Sequence, residues 1–183
     1  LAKPAVQASG IRARRAGFTV LEVLATVVIL AILVVLFFPN ARDFLLRAGE
    51  AGCIANMRSI TTALHGHLHD HQNVWPQGPT LNEEKAWEEF WLQVLKPYGI
   101  TEKTWQCPSF NSALASKGVP VDERPKVHYV PTTFPETPGI ATRWATQPWL
   151  IERASVHKHG PHICFPDGSV KSFDKVLAEQ GVR

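Results

Sequence analysis

The chain has 183 residues, 45% of them hydrophobic, with 19 Lys and Arg against 16 Asp and Glu. That length accommodates one anchoring segment plus one small domain with its own core. Lys3, Arg12, Arg14 and Arg15 put four positive charges on the first 17 residues, which contain no acid, so fifteen basic groups face sixteen acidic ones in the remainder. No basic surface remains to argue for a nucleic-acid partner, and none is expected.

Residues 1–17 are polar, basic and rich in Ala and Gly; they open on Leu1, as a truncated start or an unusual start codon would leave them. Phe18 to Phe38 is a 21-residue apolar run, interrupted only by Thr19, Glu22 and Thr26. As a helix it covers about 30 Å, the thickness of a hydrocarbon layer. The arginines precede it, which places residue 1 in the cytoplasm and the bulk of the chain across the membrane. A cleaved secretory signal predicts a shorter core followed by a small-x-small site. Here "FFPNARDF" follows, and the small residue, Gly17, lies before the run. An uncleaved generic signal anchor leaves Glu22 unexplained, because a carboxylate near a bilayer interior costs roughly 2.5–3.5 kcal/mol.

Residues 39–71 continue as an amphipathic helix. Leu46, Gly49, Cys53, Met57, Ile60, Leu64 and Leu68 recur every three or four positions and predict one buried face. Pro39 kinks this helix or divides it in two. Residues 72–183 have a different texture: twelve of the fourteen prolines fall there, from Pro76 to Pro166. One helix is predicted over Leu81–Leu95, capped by Asn82, with Trp87, Phe90, Trp91 and Val94 on one face. Short strands are predicted at Lys126–Val130, Trp149–Glu152, His162–Phe165 and Ser169–Phe173, the last two joined by a "PDGS" turn in which Gly168 takes positive φ. The expected fold is α+β: a long N-terminal helix packed on a small antiparallel sheet with large loops.

"RRAGFTVLEVLATVVILAILVVLFFP" resembles the N-terminal signature of type IV prepilins and type II secretion pseudopilins. The resemblance rests on a basic leader ending in Gly17, Phe18 as first mature residue, Glu22 as fifth and Pro39 as twenty-second, and it covers about the first 40 residues. The remainder is similar to a pseudopilin-like subgroup with a C-terminal motif of His, nine residues, Asp-Gly. Here "HKHGPHICFPDG" sets His157, Asp167 and Gly168 in register, and "CIANMRSITTAL", "LKPYG" and "CPS" are further landmarks. Pro166 departs from that pattern, where a small residue is expected, and a proline cannot donate to a strand ladder.

The resemblance implies a pilin-like fold and a non-enzymatic chain, itself the substrate of a prepilin peptidase that cuts between Gly17 and Phe18 and N-methylates Phe18. Glu22 would then meet the new α-amino group of a neighbouring subunit, each charge relieving the other's desolvation. The implied partners are that peptidase, homologous filament subunits, an inner-membrane assembly platform and membrane lipid. The implied location is the inner membrane, single-pass, with a periplasmic C-terminal domain. A type II secretion pseudopilin is the leading reading, with a type IV pilus or DNA-uptake pilin as the alternative.

Two histidine-rich stretches invite a metal reading. On a helix, His65 and His69 fall on one flank of the Leu64/Leu68 stripe and His67 and His71 on the other, so the four cannot share one tetrahedral ion. His157 and Asp167 read as a His–Asp hydrogen bond or a turn clamp, with calcium as the cofactor alternative, though the C-terminal loops show no clear run of oxygen ligands. No metal ligand is assigned and no cofactor is expected. Three cysteines across the membrane allow one disulfide. Pairing Cys53 with Cys107 would staple the domain to the helix, a nominal gain of about 4 kcal/mol; three reduced, buried cysteines are the alternative. Rival functions are a membrane-anchored thiol hydrolase built on Cys164, and a binding module whose six tryptophans line a ligand surface.

Overall fold

The computed structural model describes residues 18–134 and 146–181, and for 38–42 the backbone alone. The leader and Gly17 therefore lie outside the described residues, as does Trp144. The first element is α1, Val20–Asp70. Its backbone stays helical through Pro39, so the expectation that this residue divides the segment into two helices is corrected. By compactness the chain falls into two units that meet between Arg42 and Asp43.

In the first unit, Val20–Phe37 carries no buried residue and is apolar and long enough to cross a membrane. The Thr26 hydroxyl donates to the Val23 carbonyl at 2.8 Å, which satisfies its polar group inside an apolar run.

In the second unit, Cys53, Met57, Ile60, Leu64 and Leu68 form the buried face of α1. Leu46 does not join them: it is 69% exposed, because the domain first covers the helix at Gly49. There the approach is close, since a Cβ on Gly49 would stand 2.8 Å from Ser109 Oγ.

The helix α2, Glu84–Val94, buries Trp87, Glu88 and Trp91. It begins later than expected: Glu83 occupies the N-cap position and Asn82 caps nothing. Among the described residues two α-helices are new relative to the sequence reading. One is α3, Pro108–Ser116, which starts directly after Cys107 with Pro108 in the first turn, where the missing N–H costs nothing. The other is α4, Phe173–Glu179, which takes over the residue expected to end the last strand.

Among the described residues, four three-residue strands, β1 (Tyr129–Pro131), β2 (Leu150–Glu152), β3 (His162–Cys164) and β4 (Val170–Ser172), form one antiparallel sheet in chain order. Pro131 is tolerated because β1 is an edge strand. In β2 the alternation turns Leu150 and Glu152 inward and Ile151 outward. The core joins the α1 face to Tyr129, Leu150 and Cys164, with Trp75, Trp87, Trp91, Trp105 and Trp149 filling the space between. All five indoles are at most 2% exposed, which removes them from any ligand-binding surface.

Candidate functional site

The start of α1 is built by its own first turn. The Glu22 N–H donates to Thr19 Oγ1 at 3.2 Å and to the Thr19 carbonyl at 3.0 Å, so Thr19 caps the helix and Glu22 stands three residues in. A carboxylate there faces the positive end of the helix dipole. This local reason for an acid at position 22 is readable as Thr-x-x-Glu, and it adds to the one inferred from the apolar run. Phe18, directly before it, is 81% exposed, and every large apolar side chain from Val20 to Phe37 is at least half exposed. Among the described residues the segment is a surface without a protein partner.

The C-terminal motif separates into two devices. Asp167 and Gly168 make the β3–β4 turn: Gly168 N–H donates to Phe165 O at 2.9 Å, Phe165 N–H to Ser169 O at 2.9 Å, and Ser169 N–H to Asp167 Oδ1 at 2.8 Å. Pro166 follows Phe165 in that turn and Gly168 holds φ 76°, the arrangement of a tight turn closed by a glycine bulge. Pro166 thus lies beyond the ladder and does not break it. Its carbonyl accepts from His65 Nε2 at 2.7 Å, which pins the hairpin to α1.

His157 does not bond Asp167, so the His–Asp reading is corrected. Its Nε2 lies 3.2 Å from Glu152 Oε1 and 3.8 Å from Cys107 Sγ. Glu152 is the hub. One step along the ladder from Ile151 and Ile163 it comes opposite His162, accepts that residue's backbone N–H at 2.8 Å, and takes its Nδ1 at 3.0 Å. Burial would raise the Glu152 carboxyl, but the hydrogen bonds from both imidazoles and from the backbone outweigh it and hold the group at about 2. Burial lowers His162, yet the bond to Glu152 and the charges of Glu152 and Glu50 leave it above its ordinary value. The other face of His162 presents Nε2 to Glu50 Oε1 of α1 at 3.2 Å.

Beside this cluster Cys53 and Cys107 form a disulfide with Cα atoms 4.9 Å apart. Two contacts fix the Cys107 loop. Asn56 of α1 donates to the Gln106 carbonyl at 3.0 Å, and Cys107 N–H donates to His128 Nδ1 at 2.9 Å. His128 Nε2 donates in turn to Pro125 O at 2.9 Å, a pattern that requires the neutral ring, and burial likewise pushes its pKa down.

The His65–His71 tract does not converge. His67 and His71 stack at 3.9 Å, His69 pairs with Asp70, and His65 serves the hairpin. Cys164 is fully buried with Sγ 3.1 Å from Thr61 Oγ1, and burial raises its thiol pKa, the opposite of what a nucleophile needs. Sequence reasoning missed Glu50, Glu152 and His128. The inward phase of Glu152 in "LIE" was its one available signal.

Residues 12–38 match the prokaryotic N-terminal methylation motif. Over 105 residues the chain is 29% identical to the competence protein ComGC of Halalkalibacterium halodurans, an alignment covering 57% of this chain and 88% of that relative. No solved structure matches.

Proposed function

Taking as premise a pilin-like α+β chain that carries a prepilin-type N-terminal methylation motif, we propose that it is a structural subunit of an inner-membrane pilus-like filament, in the first instance a type II secretion pseudopilin. A prepilin peptidase cuts after Gly17 and N-methylates Phe18. The arginine-rich leader stays in the cytoplasm, and the domain from Asp43 onward is carried on the far side of the membrane. The single observation that carries this reading is the Val20–Phe37 helix: exposed all round, it holds one acid, capped by Thr19, in its first turn. Lipid satisfies such a helix before assembly, and the apolar faces of neighbouring copies satisfy it afterwards. In the second state Glu22 neutralises the Phe18 amine of the adjacent copy.

The test joins N-terminal mass spectrometry of membrane-extracted protein with the Glu22→Val variant. The expected mature chain begins at a methylated Phe18, and Glu22→Val inserts normally but loses incorporation into filaments at least tenfold. A native chain that keeps its arginines, or full incorporation of the variant, refutes the proposal. The similarity to a protein named for competence favours a second reading, a DNA-uptake filament. Deleting the gene and measuring protein export and transformation side by side distinguishes the two.

A further inference from the structure

Glu50, His157 and His162 bring one ligand atom each within 4.8 Å of one another, from α1, from the loop after β2 and from β3. We propose that these three side chains bind a divalent transition-metal ion of the zinc class, and that the ion clamps α1 to the sheet. Four observations carry this.

The Glu50 oxygen and the His162 Nε2 are 3.2 Å apart, close to the roughly 3.3 Å edge of a tetrahedron whose bonds are about 2.0 Å. His162 gives its Nδ1 to Glu152 Oε2, which fixes the ring so that Nε2 faces Glu50; a carboxylate behind a ligating imidazole is the usual support of such sites. Charge points the same way. With neutral imidazoles the cluster carries two carboxylates, and among the described residues neither Glu50 nor Glu152 pairs with a lysine or arginine. A single dication neutralises both. Finally, the site is closed on one side and open on the other. The His157, His162 and Glu152 side chains are at most 4% exposed, whereas Glu50 is 38% exposed and marks the path of entry. Two imidazoles and a carboxylate suit zinc, copper or nickel and do not suit calcium. The Cys53 and Cys107 sulfurs, which also approach His157, are bonded to each other and supply no thiolate.

The experiment uses the full chain in detergent micelles, kept oxidised, stripped with chelator and titrated with Zn²⁺ by calorimetry. Co²⁺ serves as a spectroscopic probe of tetrahedral nitrogen and oxygen ligation. One equivalent of either metal should bind with the tetrahedral Co²⁺ spectrum. Glu50→Gln, at the exposed edge of the site and so tolerant of substitution, should weaken binding by more than about 100-fold, and His162→Gln should do the same. The combined His67→Asn, His69→Asn and His71→Asn variant should retain it. Uptake that survives Glu50→Gln, uptake that disappears with the His67–His71 substitutions, or no stoichiometric uptake at all overturns the proposal and leaves the cluster a proton-bridged network only.

Discussion

From Val20 to Phe37, α1 exposes between half and four-fifths of each large apolar side chain; from Cys53 to Leu68 it buries one every three or four residues to 2% or less. Both regions are apolar and helical, yet they are stabilised differently. The second region has its partners within the chain: the sheet, five tryptophans and a disulfide. Among the described residues the first has its backbone hydrogen bonds, the Thr19 cap and the Thr26 hydroxyl bond, and its apolar surface is left for lipid or a partner to cover. Apolar content therefore says that a helix will be covered, and the pattern of that content says by what. A stripe marks an internal partner, and apolar residues on every side mark an external one.

The contrast can be broken or sharpened by substitution. Leu64→Ala, at the centre of the covered face, should cost the domain about 2–5 kcal/mol in denaturant unfolding, whereas Leu30→Ala should leave that transition within about 0.5 kcal/mol. Equal effects would mean the two units unfold together. Replacing Cys53 and Cys107 with Ser should cost about 2–4 kcal/mol and lower the thermal midpoint, as scanning calorimetry would read. A smaller effect concerns acid. The Glu152 carboxyl is held at about 2 against an ordinary 4.5, so its stabilisation is present above pH 4.5 and is lost as the pH falls toward 2. His162, raised above 6.5, stabilises fully below that value and loses its contribution as the pH rises through its folded pKa. In chelator-treated protein the gap in thermal midpoint between the native chain and Glu152→Gln should therefore peak between about pH 4.5 and 6.5 and shrink on either side. The smallest effect is Gly168→Ala, which must place a Cβ at φ 76° and should cost about 1–2 kcal/mol by the same calorimetry.

What could be read in advance follows the range of the interactions. The β3–β4 hairpin was legible because "PDGS" between two short apolar runs is a local signal, and the stripe from Cys53 to Leu68 because helical period is local too. Leu46 fits that stripe by period and is exposed all the same: how far a domain reaches along a helix depends on segments distant in sequence, here α3 at Ser109. The helix α3 itself was hidden by "CPS", whose proline reads as a loop until His128 anchors Cys107 and Asn56 anchors Gln106. His157 was singled out with Asp167 as its partner, and the structure gives it Glu152 instead. Asp167 lies ten positions away in the same motif, while Glu152 reaches His157 across the turn that follows β2. A motif records which residues are needed, and distance along the chain does not record which of them touch.

The position of the disulfide has a mechanical consequence. A pull along α1 from its N-terminal end enters the globular part between Gly49 and Cys53, where the first strong link it meets is the covalent bond to Cys107. Tension is then divided between the backbone ahead of α3 and the Glu50–His162 contact to β3. The covalent branch spares the three-residue strands part of that load.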